Sequence, residues 1–273
     1  MKLLIDAGNT RIKWALAHGS SWLHNGALPV GQCGELPHQF AGLRGIRQVW
    51  VSNVAGEEIE QHIRDACAEF PAPHFVVAQQ AQCGVRNNYS SPAQLGSDRW
   101  AALIAAWHLV RGPCLVVNSG TATTIDAMSA KGEFIGGLIL PGVELMQRSL
   151  LDATARLQAA TQAKQGQGEY APFPLNTADA LYSGALQASC GAIERQHALL
   201  GEACPDETAD HSARLSENAS PAAGCDPGRR DAAPVVLSGG AATLLRDHLN
   251  APLRIVDNLI LQGLLLIAQE TNA

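Results

Sequence analysis

The chain repeats itself, and that repetition constrains its fold more than any other feature. Leu3-Leu4-Ile5 runs into the polar turn Asp6-Ala7-Gly8-Asn9-Thr10. Leu115-Val116-Val117 runs into the near-equivalent Asn118-Ser119-Gly120-Thr121-Ala122-Thr123. Each turn leads into a second and then a third strand-like segment, IKWALA and SWLHNGAL after the first, TATTIDAMSA and GEFIGGLIL after the second. A duplicated unit reveals architecture from one sequence alone. It predicts an α/β fold of two similar lobes, 1–112 and 113–273, each a mixed β-sheet flanked by helices, divided near Gly112-Pro113. In that arrangement the two turns face each other across a cleft and grip a nucleotide's phosphates from both sides.

The segments after each meander follow one plan. QVWVSNV and HFVVA read as strands, and about 57–69 and about 97–110 as helices with apolar residues at helical spacing. In the second copy, helices are predicted over about 142–158 and about 177–199, followed by the strand VVLSGG. A short helix 241–248, a strand LRIV and a closing helix NLILQGLLLIAQ complete it. Residues 201–233, rich in Ala, Asp, Glu, Pro, Gly and Ser, read as a mobile insertion.

Composition removes several function classes. With 47% hydrophobic and 16% charged residues in 273, there is ample material for buried cores. A net charge of −6 is the wrong sign for coating a nucleic acid, so no nucleic-acid partner is expected. No apolar run of membrane-spanning length occurs and the N-terminus has no secretory pattern, which predicts no membrane partner and a cytoplasmic location. The 7 cysteines contain no C-x-x-C pair and the 9 histidines no H-x-x-x-H pair, so neither a disulfide framework nor a zinc site is expected.

Each polar turn alone reads equally as a tight hairpin or as a phosphate cradle with small residues and hydroxyls. Occurring twice, they favour the cradle. Asp6 is then a candidate magnesium ligand, Thr10, Thr121 and Thr123 candidate phosphate contacts, and Lys13 either a phosphate contact or a solvated strand residue. Asp126 either points into the cleft or caps a polar strand face. Ser238-Gly239-Gly240 ends a strand and opens a helix, where the missing side chains let a base or ribose approach. Asp98-Arg99 opens the helix at about 97–110. It either offsets the helix dipole, or supplies a general base (Asp98) for a substrate hydroxyl and a bidentate guanidinium (Arg99) for a carboxylate.

Four motifs in order, D-x-G-N-T-x-x-K at Asp6 to Lys13, G-x-D-R at Gly96 to Arg99, G-T-A-T-T-x-D at Gly120 to Asp126 and S-G-G at Ser238 to Gly240, resemble the type III pantothenate kinases. That family lies within the acetate and sugar kinase/actin superfamily, so the resemblance implies an actin-like/ribonuclease H-like duplicated fold. It implies ATP-dependent phosphorylation of pantothenate to 4′-phosphopantothenate, the first step of coenzyme A synthesis. Asp98 maps to the proton acceptor, and Asp6, Ala7, Gly8, Asn9, Thr10, Arg11, Ile12, Lys13 and Thr121 to ATP contacts. Tyr89, Gly96, Ser97, Asp98, Arg99 and Thr177 map to pantothenate contacts. A homodimer, magnesium and a monovalent cation, potassium or ammonium, are also implied. One position departs: the family's D-x-G-T is Asn118-Ser119-Gly120-Thr121 here, and that Asp is associated with the monovalent cation. A neutral amide in its place predicts weaker potassium dependence. The rival readings are a non-catalytic ATP-binding regulatory (transcriptional accessory) protein and a sugar kinase or phosphatase of the same fold.

Overall fold

A computed structural model of the chain describes residues 1–153, 168–204 and 232–271. The elements run β1 (Lys2–Ala7), β2 (Arg11–His18), β3 (Ser21–Pro29), α1 (Leu36–Phe40), β4 (Gln48–Asn53), α2 (Glu57–Ala66), β5 (His74–Phe75), β6 (Ala81–Gln82), β7 (Val85–Asn87) and α3 (Ser97–Val110). They continue with β8 (Cys114–Ser119), β9 (Ala122–Met128), β10 (Glu133–Pro141), α4 (Val143–Ala153), α5 (Thr177–Ala203), β11 (Val235–Ser238), α6 (Ala242–Arg246), β12 (Leu253–Ile255) and α7 (Leu259–Glu270). They form two compact units, one of residues 1–111, 132–136 and 258–273, the other of 112–131 and 137–257.

In the first unit the strand order is β3-β2-β1-β4-β5. The three-strand meander is antiparallel, and β4 and β5 add in parallel beyond β1. Leu3, Leu4 and Ile5 are all fully buried, so both faces of β1 are covered. Leu3, Ile5 and Ala7 meet Leu36 and Phe40 of α1 and Ile59 and Ile63 of α2. Strand alternation turns Leu4 and Asp6 to the opposite face, which α3 and α7 cover.

In the second unit the same order recurs: β10-β9-β8-β11-β12, with β8 and β9 antiparallel and β11 and β12 parallel to β8. Leu115, Val117, Val235 and Leu237 pack against Ala185, Leu186 and Ile193 of α5 and against Ala242 and Leu245 of α6. The duplication read from the two turns is thus a duplication of topology. It is the actin-like, ribonuclease H-like plan used twice.

The division differs from a single cut at 112/113. The closing helix α7 belongs to the first unit because α3 is apolar around most of its circumference and needs cover on that side. At the crossing, a Cβ on Gly263 would lie 1.9 Å from the Ala101 carbonyl oxygen, so only glycine admits this approach. Residues 132–136 join the first unit because Glu133 and Phe134 pair in parallel with Arg86 and Asn87 of β7. HFVVA forms a strand only at His74–Phe75. Of the helix expected over 142–158, Val143–Ala153 is helical and the remainder lies outside the described residues, as does 205–231 of the expected insertion. The α5 helix runs to Ala203, four residues beyond the expected 199.

Candidate active site

Asp6 lies next to the end of β1, and parallel pairing sets Ser52 of β4 beside it. Ser52 is fully buried, and its hydroxyl meets that of Ser97, the first residue of α3, at 2.9 Å. That bond fixes the helix N-terminus against the strand end, and the next residue, Asp98, arrives near Asp6. Gly96 precedes the helix, and a Cβ there would sit 2.6 Å from Asp98 Oδ1, so the absence of a side chain makes room for the carboxylate. Asp98 Oδ1 accepts the Arg99 backbone N–H at 2.7 Å, using one of the helix's four unpaired amides.

Two carboxylates in a partly buried site repel and lack full hydration. Burial, then the Asp98 charge, pushes Asp6 up to about 7, against the opposing pull of Lys13, its cross-strand neighbour. Burial also raises Asp98, while the helix amides and the Arg99 charge work the other way. A carboxylate raised in this manner is a stronger base than one in water.

Arg99 is 6% exposed. Its Nη1 donates to Tyr89 Oη at 3.0 Å, and its guanidinium carbon lies 5.7 Å from the ring centroids of both Tyr89 and Phe134. Tyr89 is set by Asn87, whose Oδ1 accepts the Tyr89 N–H at 3.1 Å and whose Nδ2 donates to the Pro92 carbonyl at 3.1 Å. Tyr89 and Gly96 to Arg99 therefore form one cluster in the first unit, with a guanidinium beside a carboxylate. Thr177 belongs to the second unit.

The turn after β1 exposes Asn9, Thr10 and Arg11. Its Gly8 N–H is already committed to the Arg11 carbonyl at 3.1 Å. Ala7 and Ile12 are fully buried in the core, so any contact they make with a nucleotide runs through backbone. In the second unit, Gly120 N–H closes on the Ala122 carbonyl at 2.9 Å and Thr121 is exposed. Thr123 is fully buried, and its hydroxyl meets Ser119 Oγ at 2.9 Å. Alternation along β9 is the reason, since Thr123 shares the inward face with Ile125. Asp126 is likewise buried, at 1% exposure.

Around the second turn, backbone crowds backbone. Gly239 has φ +99° and a Cβ on it would lie 2.2 Å from the Ser119 carbonyl oxygen, which also accepts the Ala241 N–H at 3.0 Å. A Cβ on Gly142 would lie 2.0 Å from the Gly120 carbonyl. Gly120, Gly142 and Gly239 of the second unit thus crowd together at one end of its sheet, and Gly240 stays exposed beside them. Asn118 occupies the position on β8 that Asp6 occupies on β1, two residues before the turn glycine. Thr177 is the first residue of α5 behind the cap Asn176, whose side chain accepts the Asp179 N–H. It lines a cavity of about 740 Å³ with Met146, Leu150, Leu175 and Leu181.

Sequence reasoning missed Ser52, Asn87 and Phe134. Ser52 was legible in principle, since aligning the ends of LLIDAG and QVWVSN as parallel neighbours sets Asp6 against Ser52. Phe134 had no local signal, because the pairing that brings it to Tyr89 joins strands more than forty residues apart.

A duplicated mixed sheet with a polar turn after the first strand of each copy is the plan of the acetate and sugar kinase/actin class. The profile of the type III pantothenate kinases matches residues 2–198. Two relatives, both type III pantothenate kinases, are similar along their length. The one from Nitrosospira multiformis is 44% identical, covering 99% of this chain and 92% of its own. The one from Aromatoleum aromaticum is 43% identical, covering 100% of both. The chain belongs to the type III pantothenate kinase family. Among solved structures, a Baf family transcriptional activator from Campylobacter jejuni shares the fold at TM-score 0.55 and 20% identity, covering 99% of this chain and 100% of its own.

Proposed function

We propose that this chain transfers the γ-phosphoryl group of ATP to the terminal hydroxyl of pantothenate, giving 4′-phosphopantothenate and ADP at the entry to coenzyme A synthesis. The observation that carries the reading is the pairing at the start of α3: a carboxylate raised by burial next to a buried guanidinium. A hydroxyl nucleophile that also bears a carboxylate needs both groups at once. Arg99, steadied by Tyr89, takes the carboxylate; Asp98 accepts the hydroxyl proton as the oxygen bonds to phosphorus and the bond to ADP breaks. A sugar offers this guanidinium no carboxylate to engage.

Asn9, Thr10, Arg11 and Lys13 of the first turn, and Thr121, Gly239 and Gly240 of the second unit, are the proposed ATP contacts, with Gly8 shaping its turn. Magnesium suits Asp6, because a divalent cation would offset the burial, and after it the Asp98 charge, that raise this carboxylate. Asp6 would be the ligand that the protein offers the ion. When bound, the ion neutralises charge on the bridging oxygens. Asn118 offers only a neutral oxygen, so a monovalent cation at that position binds weakly. Thr177 is the proposed acceptor contact from the second unit, and the working form is a cytoplasmic homodimer.

The test offers the purified protein ATP with pantothenate, pantetheine and simple sugars, and reads ADP and phosphorylated product. Turnover of pantothenate in preference to sugars is expected. ATP binding without turnover of any acceptor would favour the regulatory reading and overturn this one.

A further inference from the structure

Phe134 is fully buried, yet its ring lies 5.2 Å from the Tyr89 ring at 45°, and the Arg99 guanidinium stands 5.7 Å from both ring centroids. The guanidinium thus sits to one side of a touching ring pair, at equal distance from both rings, and is tied to Tyr89 by the hydroxyl bond. Phe134 sits opposite Asn87 in the β7–β10 pairing, and Asn87 in turn fixes the Tyr89 backbone and Pro92. One strand pairing therefore places both rings that the guanidinium meets. A cation near a ring face is attracted by the ring's quadrupole, and in a desolvated setting this orients as well as stabilises. An arginine with its long side chain otherwise samples many rotamers, and restricting it lowers the cost of engaging an anion.

We propose that Phe134 is a positioning residue for carboxylate recognition: with Tyr89 it holds Arg99 in the orientation that meets an anionic acceptor. The inference rests on the pantothenate kinase reading for its substrate, and on the geometry alone for its effect on Arg99. Phe134→Met keeps apolar volume and removes the ring; Phe134→Leu is a second, smaller replacement.

Two measurements decide it. The first is the arginine side-chain N–H spectrum of the protein, with the Arg99 signal assigned by its loss in Arg99→Lys. In Phe134→Met that signal is expected to lose its ring-current shift and broaden. The second is steady-state kinetics: KM for pantothenate is expected to rise about tenfold, with kcat and KM for ATP within about twofold. A general loss of folding would lower kcat and leave no such split. An unmoved Arg99 signal in both variants, or an unchanged pantothenate KM in a soluble, folded variant, overturns the proposal. If the wild-type protein fails to turn over pantothenate, the functional reading falls, and the Arg99 signal still decides the role of Phe134.

Discussion

Replacing Asp6 by Asn is expected to stabilise the ligand-free protein at neutral and higher pH, although it removes a proposed metal ligand. Burial and the Asp98 charge raise the Asp6 carboxyl from 3.8 to about 7. Below about pH 4 the group is protonated in both folded and unfolded chains, and it contributes no pH dependence. Between about pH 4 and pH 7 the folded state keeps a proton that the unfolded chain has released, so stability falls as pH rises. Above pH 7 the folded state carries the full cost of an ionised, poorly hydrated carboxylate. At about 1.36 kcal/mol per pH unit the ceiling is on the order of 4 kcal/mol, and local relaxation and water penetration around the partly buried group bring it nearer 2 kcal/mol. Asn has nearly the same shape and no charge. Urea unfolding in the presence of a chelator, at about pH 4 and about pH 8, compares the two proteins. The variant should match wild type at the lower pH and exceed it by about 2–4 kcal/mol at the higher. A variant no more stable than wild type at pH 8, or a difference that does not change with pH, would refute the reasoning.

Three further outcomes follow from the same geometry. Gly96→Ala sets a Cβ 2.6 Å from Asp98 Oδ1, so the carboxylate must move; kcat should fall about tenfold or more while ATP affinity, read by calorimetry, holds. Gly263→Ala drives a methyl into the Ala101 carbonyl at the α3–α7 crossing and should cost about 3 kcal/mol, read as a lowered Tm with substrate KM values unchanged in the folded fraction. With Asn118 in place of a carboxylate, potassium from zero to saturating should change kcat/KM by only about twofold, and Asn118→Asp should steepen that response. An absolute potassium requirement in the native chain would contradict the last of these.

The repeated features were the legible ones. The strand–turn–strand at Asp6 and its copy at Asn118 announced the duplicated topology because hydrophobic alternation and turn chemistry are local signals. The start of α3 was readable for the same reason, since the helical spacing from Trp100 onwards fixed where Asp98 and Arg99 would sit. Non-local pairing was not readable. That α7 covers α3, or that Glu133 and Phe134 cross to β7, depends on which apolar surfaces remain uncovered once the local elements exist. The inward turn of Thr123 is a subtler case. The motif shows a hydroxyl beside a glycine turn, but which face of the strand it takes depends on register, and here it meets the Ser119 hydroxyl.

The account stands most directly on Asp98 as the proton acceptor for an acceptor hydroxyl. The decisive measurement is pantothenate phosphorylation by Asp98→Asn beside wild type, followed as 4′-phosphopantothenate formed, with ATP affinity measured on the same samples. A loss of about 10²–10⁴ in kcat with ATP affinity held within about threefold is the predicted result. Near-normal turnover in the variant would assign this carboxylate to holding the start of α3 and remove the base from the mechanism.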